Sequence, residues 1–237
     1  MVIITSKQNT KIKELKRLHR RRYRDQSGLF IAEGLRLIED MLQTDDVVEL
    51  YYAEQFMGNH RGMELISLAE RRSIPVYRCS DQIFSDLCAT ENDQGILAVA
   101  RQPEPVQNWE HHFKKGVILI VDQVQDPGNL GTILRTALAT GIDGIWLVKG
   151  TVDPFNPKVV RSSMGAILRM PFSSYTPEQC LAQCEKFNLK LIVTDVTGGE
   201  ILFQTDFRLP LALVIGNEAN GVQEHFTSAA DAKVYIP

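Results

Sequence analysis

No stretch of the 237-residue sequence approaches the ~18 consecutive apolar residues that a membrane-spanning helix needs, and the start, Met1-Val-Ile-Ile-Thr-Ser-Lys7, is polar by its fifth residue. No membrane is expected as a partner, and a cytoplasmic location is the expectation. Cysteine is scarce as well. Cys79, Cys88, Cys180 and Cys184 fit no metal-ligand spacing and are too few for a disulfide framework, so neither is expected. Cys180 and Cys184 share one face of an expected helix and read as ordinary buried thiols. There is no internal repeat and no low-complexity tract. Two nucleotide fingerprints are also missing: Gly216 to Gly221 is not followed by Lys and Ser/Thr, and no G-x-G-x-x-G follows a strand. Kinase and nicotinamide-dependent dehydrogenase readings lose most of their support.

What is present is a core-forming chain, 44% hydrophobic and 23% charged, long enough for one large or two smaller α/β domains. Its net charge of −3 is unevenly spread. Lys7, Lys11, Lys13, Lys16, Arg17, Arg20, Arg21, Arg22 and Arg24 face one acid, Glu14, within residues 1–24, so this arm carries +8 and the remainder −11. A basic arm on an acidic body suits a polyanionic partner. It also reads as a solvated helix.

Residues 6–24 are expected as one helix, capped by Ser6, with Ile12, Leu15, Leu18 and His19 on its inner stripe. Strands are expected at 29–32, 47–52, 74–77 and 96–99, with helices near 34–43, 62–72 and 80–88, giving a small α/β domain. The polar, proline-containing stretch 102–110 reads as a linker. Beyond it, the continuous apolar run at 117–121 is the signature of a parallel strand covered on both faces, and further such strands are expected at 144–148, 189–193 and 211–215. Helices are expected near 129–140, 156–166, 177–188 and 222–230. The chain thus divides into a basic helix (1–25), a small domain (26–101), the linker and a parallel-sheet domain (111–237).

Ligands of open parallel sheets collect beyond the carboxyl ends of the strands. The loop Asp122-Gln-Val-Gln-Asp-Pro-Gly-Asn-Leu-Gly-Thr-Ile-Leu-Arg135 has a forced turn, a candidate cap at Asn129, and Gly131 one turn before Arg135, a guanidinium suited to an anion. A capped helix with a surface arginine explains the same spacing. The loop from Gly216 to Gly221 permits a sharp bend and close backbone approach to a ligand. Its Glu218 could equally be an acid in the first turn of the helix at 222–230. In 153–165, Lys158 and Arg161 sit three apart on one helix face, either for a polyanion or as a solvated surface.

These segments together resemble the SpoU (TrmH-like) branch of the SPOUT RNA 2′-O-ribose methyltransferases. Asn129, Gly131 and Arg135 match that family's first motif, Ile215-Gly-Asn-Glu-Ala-Asn-Gly221 its second, and Asn156-Pro-Lys-Val-Val-Arg-Ser-Ser-Met-Gly165 the segment between them. Phe30-Ile-Ala-Glu-Gly-Leu-Arg36, Val76-Tyr-Arg-Cys-Ser-Asp-Gln-Ile-Phe84 and Gln94-Gly95-Ile96 resemble its substrate-binding domain. The resemblance implies an L7Ae/L30e-like α/β domain followed by a parallel-sheet α/β-knot domain. The third motif departs, because the sequence stops at Ile236-Pro237; either it is a piece of a longer protein, or the knot and the cofactor pocket are left incomplete, and both readings stay open.

The implied reaction transfers a methyl group from S-adenosylmethionine to a ribose 2′-hydroxyl of ribosomal or transfer RNA. The implied catalytic residue is Arg135, oriented by Asn129 and Glu218; Gly216 and Ile236, with Thr194 and Gly221, are the implied cofactor contacts, and no metal is implied. The cations expected to meet RNA are Lys13, Lys16, Arg17, Arg20, Arg21, Arg36, Lys158 and Arg161. A structured RNA, ribosomal ahead of transfer, and a homodimer formed through the C-terminal domain are the implied partners. A non-catalytic RNA-binding or ribosome-assembly protein is the competing reading, favoured by the departure at the third motif and by an arm that grips phosphate without a catalyst.

Overall fold

The apolar runs expected as strands all become strands, and they fall into two sheets within two compact units, Met1–Pro103 with Asp153–Gly165, and Glu104–Val152 with Ala166–Pro237. The computed structural model describes residues 2–88, 93–196 and 198–237. In the first unit, β1 (Val2–Ile4), β2 (Leu29–Glu33), β3 (Val47–Ala53), β4 (Val76–Cys79) and β5 (Ile96–Arg101) pair in the order β1-β4-β3-β5-β2. β5 runs antiparallel to β2 and β3; β1, β4 and β3 are mutually parallel. Helices α1 (Thr10–Arg17), α2 (Arg21–Ser27), α3 (Leu35–Met41), α4 (His60–Arg71) and α5 (Asp81–Ser85) complete this mixed α/β unit.

The basic arm is two helices rather than the single one expected. Ser6 does not cap it; the Asn9 side chain does, accepting from Lys11 N at 2.9 Å. The apolar stripe of Ile12, Leu15 and Leu18 is buried and ends there, since Arg20, Arg21 and Arg22 offer no inward face. α2 then closes at Gly28 in the left-handed region.

The second unit contains β6 (Val117–Val121), α6 (Pro127–Thr140) and β7 (Gly144–Val148), after which the chain departs through Asp153–Gly165, carrying α7 (Pro157–Ser162), to pack within the first unit. Back in the second unit come β8 (Phe172–Tyr175), α8 (Pro177–Lys186), β9 (Lys190–Thr194), β10 (Glu200–Ile201), β11 (Leu211–Ile215), α9 (Glu224–Ala229) and β12 (Ala232–Tyr235). The strands order as β10-β12-β9-β11-β6-β7-β8, and every pairing is parallel. Ile118, Ile120, Trp146, Val193, Val214, Cys180, Cys184 and Phe226 share one core. The 102–110 segment is irregular only as far as Asn108, because Trp109 is buried edge-on against Trp146, ring centroids 5.9 Å apart. β1 and β10 are too short, and β8 and β12 too polar, to stand out in the sequence. α7 stops at Ser162, short of the expected 166, because Met164 and Gly165 both take positive φ.

Arg24, counted in the basic arm, is 2% exposed and holds the Asp153–Gly165 segment in the first unit. Its Nε donates to Asp153 Oδ2 at 2.8 Å, a second guanidinium nitrogen donates to the same oxygen, and a third donates to Leu18 O at 2.7 Å. Asp153, 7% exposed, also accepts from Phe155 N at 2.9 Å, and Phe155 packs on Phe30. Removing one partner leaves a buried charge without its counter-ion. Arg24→Ala is therefore expected to destabilise the protein by about 3–5 kcal/mol in urea unfolding, while Arg24→Met with Asp153→Leu recovers most of that loss. A double variant as unstable as the single one would contradict the desolvation account.

Candidate active site

Because every strand of the second sheet runs the same way, the carboxyl ends of β6, β11, β9 and β12 share one edge, and the loops leaving them build the site. Asp122, fully buried at the end of β6, accepts from Gln223 N at 2.7 Å and Gln223 Nε2 at 2.5 Å, which pins the entry to α9. Its own N–H donates to Ile215 O at 2.8 Å, tying β6 to β11. Gln123 follows with φ 56°; its N–H donates to Thr151 Oγ1 at 3.1 Å, and its carbonyl accepts from Asn217 Nδ2 at 2.8 Å. A side chain rarely adopts that backbone region, and here bonds from two other loops hold it there.

The loop 216–221 closes on itself. Asn217 and Gly221 exchange two backbone hydrogen bonds of 2.9 and 3.0 Å, and Asn217 Oδ1 accepts from Ala219 N and Asn220 N. A Cβ on Gly216 would overlap the backbone of Gly221 and Val222, so the close approach that requires this glycine is made by the chain's own backbone. Gly221 is required for a different reason, its φ of 69°; space beside it is open.

Glu218 stands at the tip of this loop, and α9 begins only at Glu224, so it is not the first-turn acid of that helix. Its carboxylate accepts from Gln125 N (3.1 Å), Asp126 N (3.2 Å) and Asn129 Nδ2 (2.9 Å), joining the second loop to the first. Asn129 is free for this because it is not the helix cap: Asp126 caps α6, accepting from Asn129 N at 2.8 Å. The Asn129 bond, helped by the backbone amides of Gln125 and Asp126, holds the Glu218 carboxyl down at about 2. Gly131 is buried one turn into α6, and Arg135 is exposed on the same helix, about 9 Å along its axis from Asn129.

Thr194, Gly216 and Ile236 lie at the ends of the adjacent strands β9, β11 and β12. Thr194 Oγ1 donates to Val214 O at 3.0 Å, leaving its lone pairs as acceptors. Ile236 is 73% exposed and Val196 92% exposed, an apolar presentation beside polar strand ends. Sequence reasoning passed over the builders Asp122, Gln123, Asn217 and Gln223; an acid directly after an apolar strand, as at Asp122, was the available signal.

The expected RNA contacts lie in the first unit. Lys13, Arg17, Arg20, Arg21, Arg36, Lys158 and Arg161 are exposed, with Arg17 over the Tyr23 ring and Arg21 near Asp25 at 3.6 Å. The arm's +8 is partly spent internally. Lys7 and Lys16 pair with Asp86, Lys11 with Glu49, and Arg24 with Asp153.

A carboxylate whose folded-state value lies below its unfolded one favours the closed loop at every pH above the ordinary carboxyl range, and that contribution fades as pH falls through about 2. In a carbon-detected NMR titration Glu218 should remain ionised at pH 3.5, and in Asn129→Ala its midpoint should rise toward the ordinary value. A wild-type midpoint near 4.5 would contradict the geometry.

Residues 116–237 match the SpoU rRNA methylase family, and residues 9–98 match the MRM3-like substrate-binding domain. The chain is 31% identical over 99% of its length to the 23S rRNA (guanosine(2553)-2′-O)-methyltransferase RlmP of Bacillus subtilis, covering 90% of that protein. It superposes on the AdoMet-bound rRNA methyltransferase of Sinorhizobium meliloti with a TM-score of 0.87 and 28% identity, over 99% of this chain and 88% of that one. The SpoU methyltransferase AviRb of Streptomyces viridochromogenes, in complex with AdoMet, gives 0.81 and 26% over 97% of this chain and 89% of that one. The chain belongs to the SpoU rRNA methylase family.

Proposed function

We propose that this protein uses S-adenosylmethionine to methylate a ribose 2′-hydroxyl of ribosomal RNA, acting in the cytoplasm as a homodimer through its parallel-sheet unit. The observation that carries the site assignment is the Glu218 carboxylate locked to Gln125, Asp126 and Asn129 at the carboxyl edge of the sheet. The ribosomal choice rests on RlmP, named for a 23S rRNA 2′-O-methylation and similar over nearly the whole chain.

The residues at this edge suit S-adenosylmethionine. Exposed apolar side chains of Ile236 and Val196 stand beside the strand ends at Thr194 and Gly216, a combination matched to a flat adenine ring with a polar rim. When bound, the cofactor supplies an electrophilic methyl group on a sulfonium. Everything else falls to the chain: the hydroxyl must be aligned, its proton accepted and the developing oxyanion stabilised. Glu218 does not take the proton, since a carboxyl held at about 2 is a poor base at neutral pH and three of its acceptor positions are occupied. Arg135 does not take it either, as a guanidinium stays protonated. Arg135 instead grips the phosphate beside the target ribose and steadies the oxyanion, the phosphate or a water accepting the proton. Glu218 and Asn129 act as positioning residues that hold the loop before α6.

Arg135→Lys keeps the charge and loses the planar fork, so single-turnover methyl transfer should fall about 100-fold or more while RNA affinity changes little. Near-normal transfer would remove Arg135 from this role. Calorimetry should show saturable S-adenosylmethionine binding, one per chain, and sedimentation equilibrium should give twice the 26.7 kDa chain mass. No cofactor binding would favour the RNA-binding reading without catalysis, and a monomer would exclude the homodimer.

A further inference from the structure

The first unit contains a cleft of about 900 Å³, larger than a single nucleotide, in which side chains from separate stretches of the chain meet. Arg36 reaches it from α3, just after Gly34, whose φ of 108° turns the chain out of β2. Arg161 and Met164 reach it from the segment Asp153–Gly165, which lies in sequence between two strands of the other sheet but packs in this unit through Arg24, Asp153 and Phe155. Among the described residues neither Arg36 nor Arg161 has an ion-pair partner, and both are exposed. A third arginine, Arg61, is paired with Glu39 at the same rim.

The cleft is not simply cationic. Glu33, Glu39 and Asp40 also line it, which would repel a bare phosphate track such as a duplex backbone. Met164 is 62% exposed, on a residue with φ 49° that a bulky side chain rarely adopts. Two available guanidinium groups, carboxylate acceptors and an exposed, polarizable apolar side chain together match the parts of one unstacked nucleotide: phosphate, amino-bearing base edge and ring face.

We infer that this cleft binds an unpaired RNA nucleotide, its phosphate held by Arg36 and Arg161, its ring laid on Met164 and its exocyclic amino group donated to the carboxylates. The inference rests on RNA being the substrate, and it makes Asp153–Gly165 part of the RNA-reading surface. Adenosine, cytidine and guanosine present such an amino group; uridine does not.

The test uses the full chain without methyl donor and three fluorescein-labelled RNAs: a hairpin with a loop of four adenosines, the same stem with four uridines, and the blunt duplex. Fluorescence anisotropy should rank them in that order. Arg36→Gln and Arg161→Gln should each weaken the adenosine hairpin about tenfold and lower the slope of log affinity against log salt by about 0.7. Met164→Ala should weaken both hairpins and spare the duplex. Arg208→Gln, on the other unit, should bind as wild type, and circular dichroism confirms that each variant is folded. Wild-type affinity and slope in the Arg36, Arg161 double variant, or equal affinity for the three RNAs, would overturn the proposal. If calorimetry shows no S-adenosylmethionine binding by the wild type, the methyltransferase reading fails instead, and the anisotropy comparison stands on its own.

Discussion

The Glu218 carboxylate receives hydrogen bonds from two backbone amides and one side-chain amide of a loop about 90 residues earlier in the chain, and the shape of the candidate site depends on it. Those donors come from the turn that launches α6, the helix bearing Arg135. Charge-assisted hydrogen bonds of this kind are about twice as strong as neutral ones, and three on one carboxylate restrict the loop far more than its sequence of small polar residues would by itself. Asp126 and Asn129 divide the work. By capping the helix, Asp126 releases the Asn129 amide to reach across to Glu218.

A second carboxylate, the buried Asp122, supports this arrangement by accepting from both the backbone and the side-chain amide of Gln223. The two contacts make β6 and β11 a paired platform: one loop leaves each strand, and each loop is tied to its neighbour by a carboxylate. Positive φ at Gln123 and Gly221 and the close backbone approach at Gly216 are the local costs of closing the loops so tightly. The ends of β9 and β12, which carry Thr194 and Ile236, lie next to this platform only because the strand order puts β9 between β12 and β11.

Arginine serves three physical purposes in this chain. Arg24 is desolvated and structural, and fastens a distant segment through Asp153. Arg36 and Arg161 are exposed at a cleft, and Arg135 is exposed on α6. The net charge of the arm does not separate these uses. Four of its nine cations are engaged with Asp86, Glu49 and Asp153, so its reach toward phosphate is smaller than +8 suggests.

Much of this was legible in the sequence. The apolar runs at 117–121, 144–148 and 211–215, and the run at 189–193 broken only by Lys190, point to buried parallel strands because a sheet covered on both faces hides them, and the polar Gly- and Asn-rich loops after them mark the site edge. Asn129, Glu218, Gly216 and Arg135 were readable as candidates. Their relation was not. That Glu218 precedes α9 instead of opening it and that 153–165 joins the first unit depend on partners far along the chain, whereas the Asp126 cap of α6 and the break of the arm after Leu18 are local choices among competing signals. Periodicity and capping signals report the few residues of one element. Hydrogen bonds such as Asn129 to Glu218, and ion pairs such as Arg24 to Asp153, arise only when packing brings separated segments together, and that was decided by the tertiary structure.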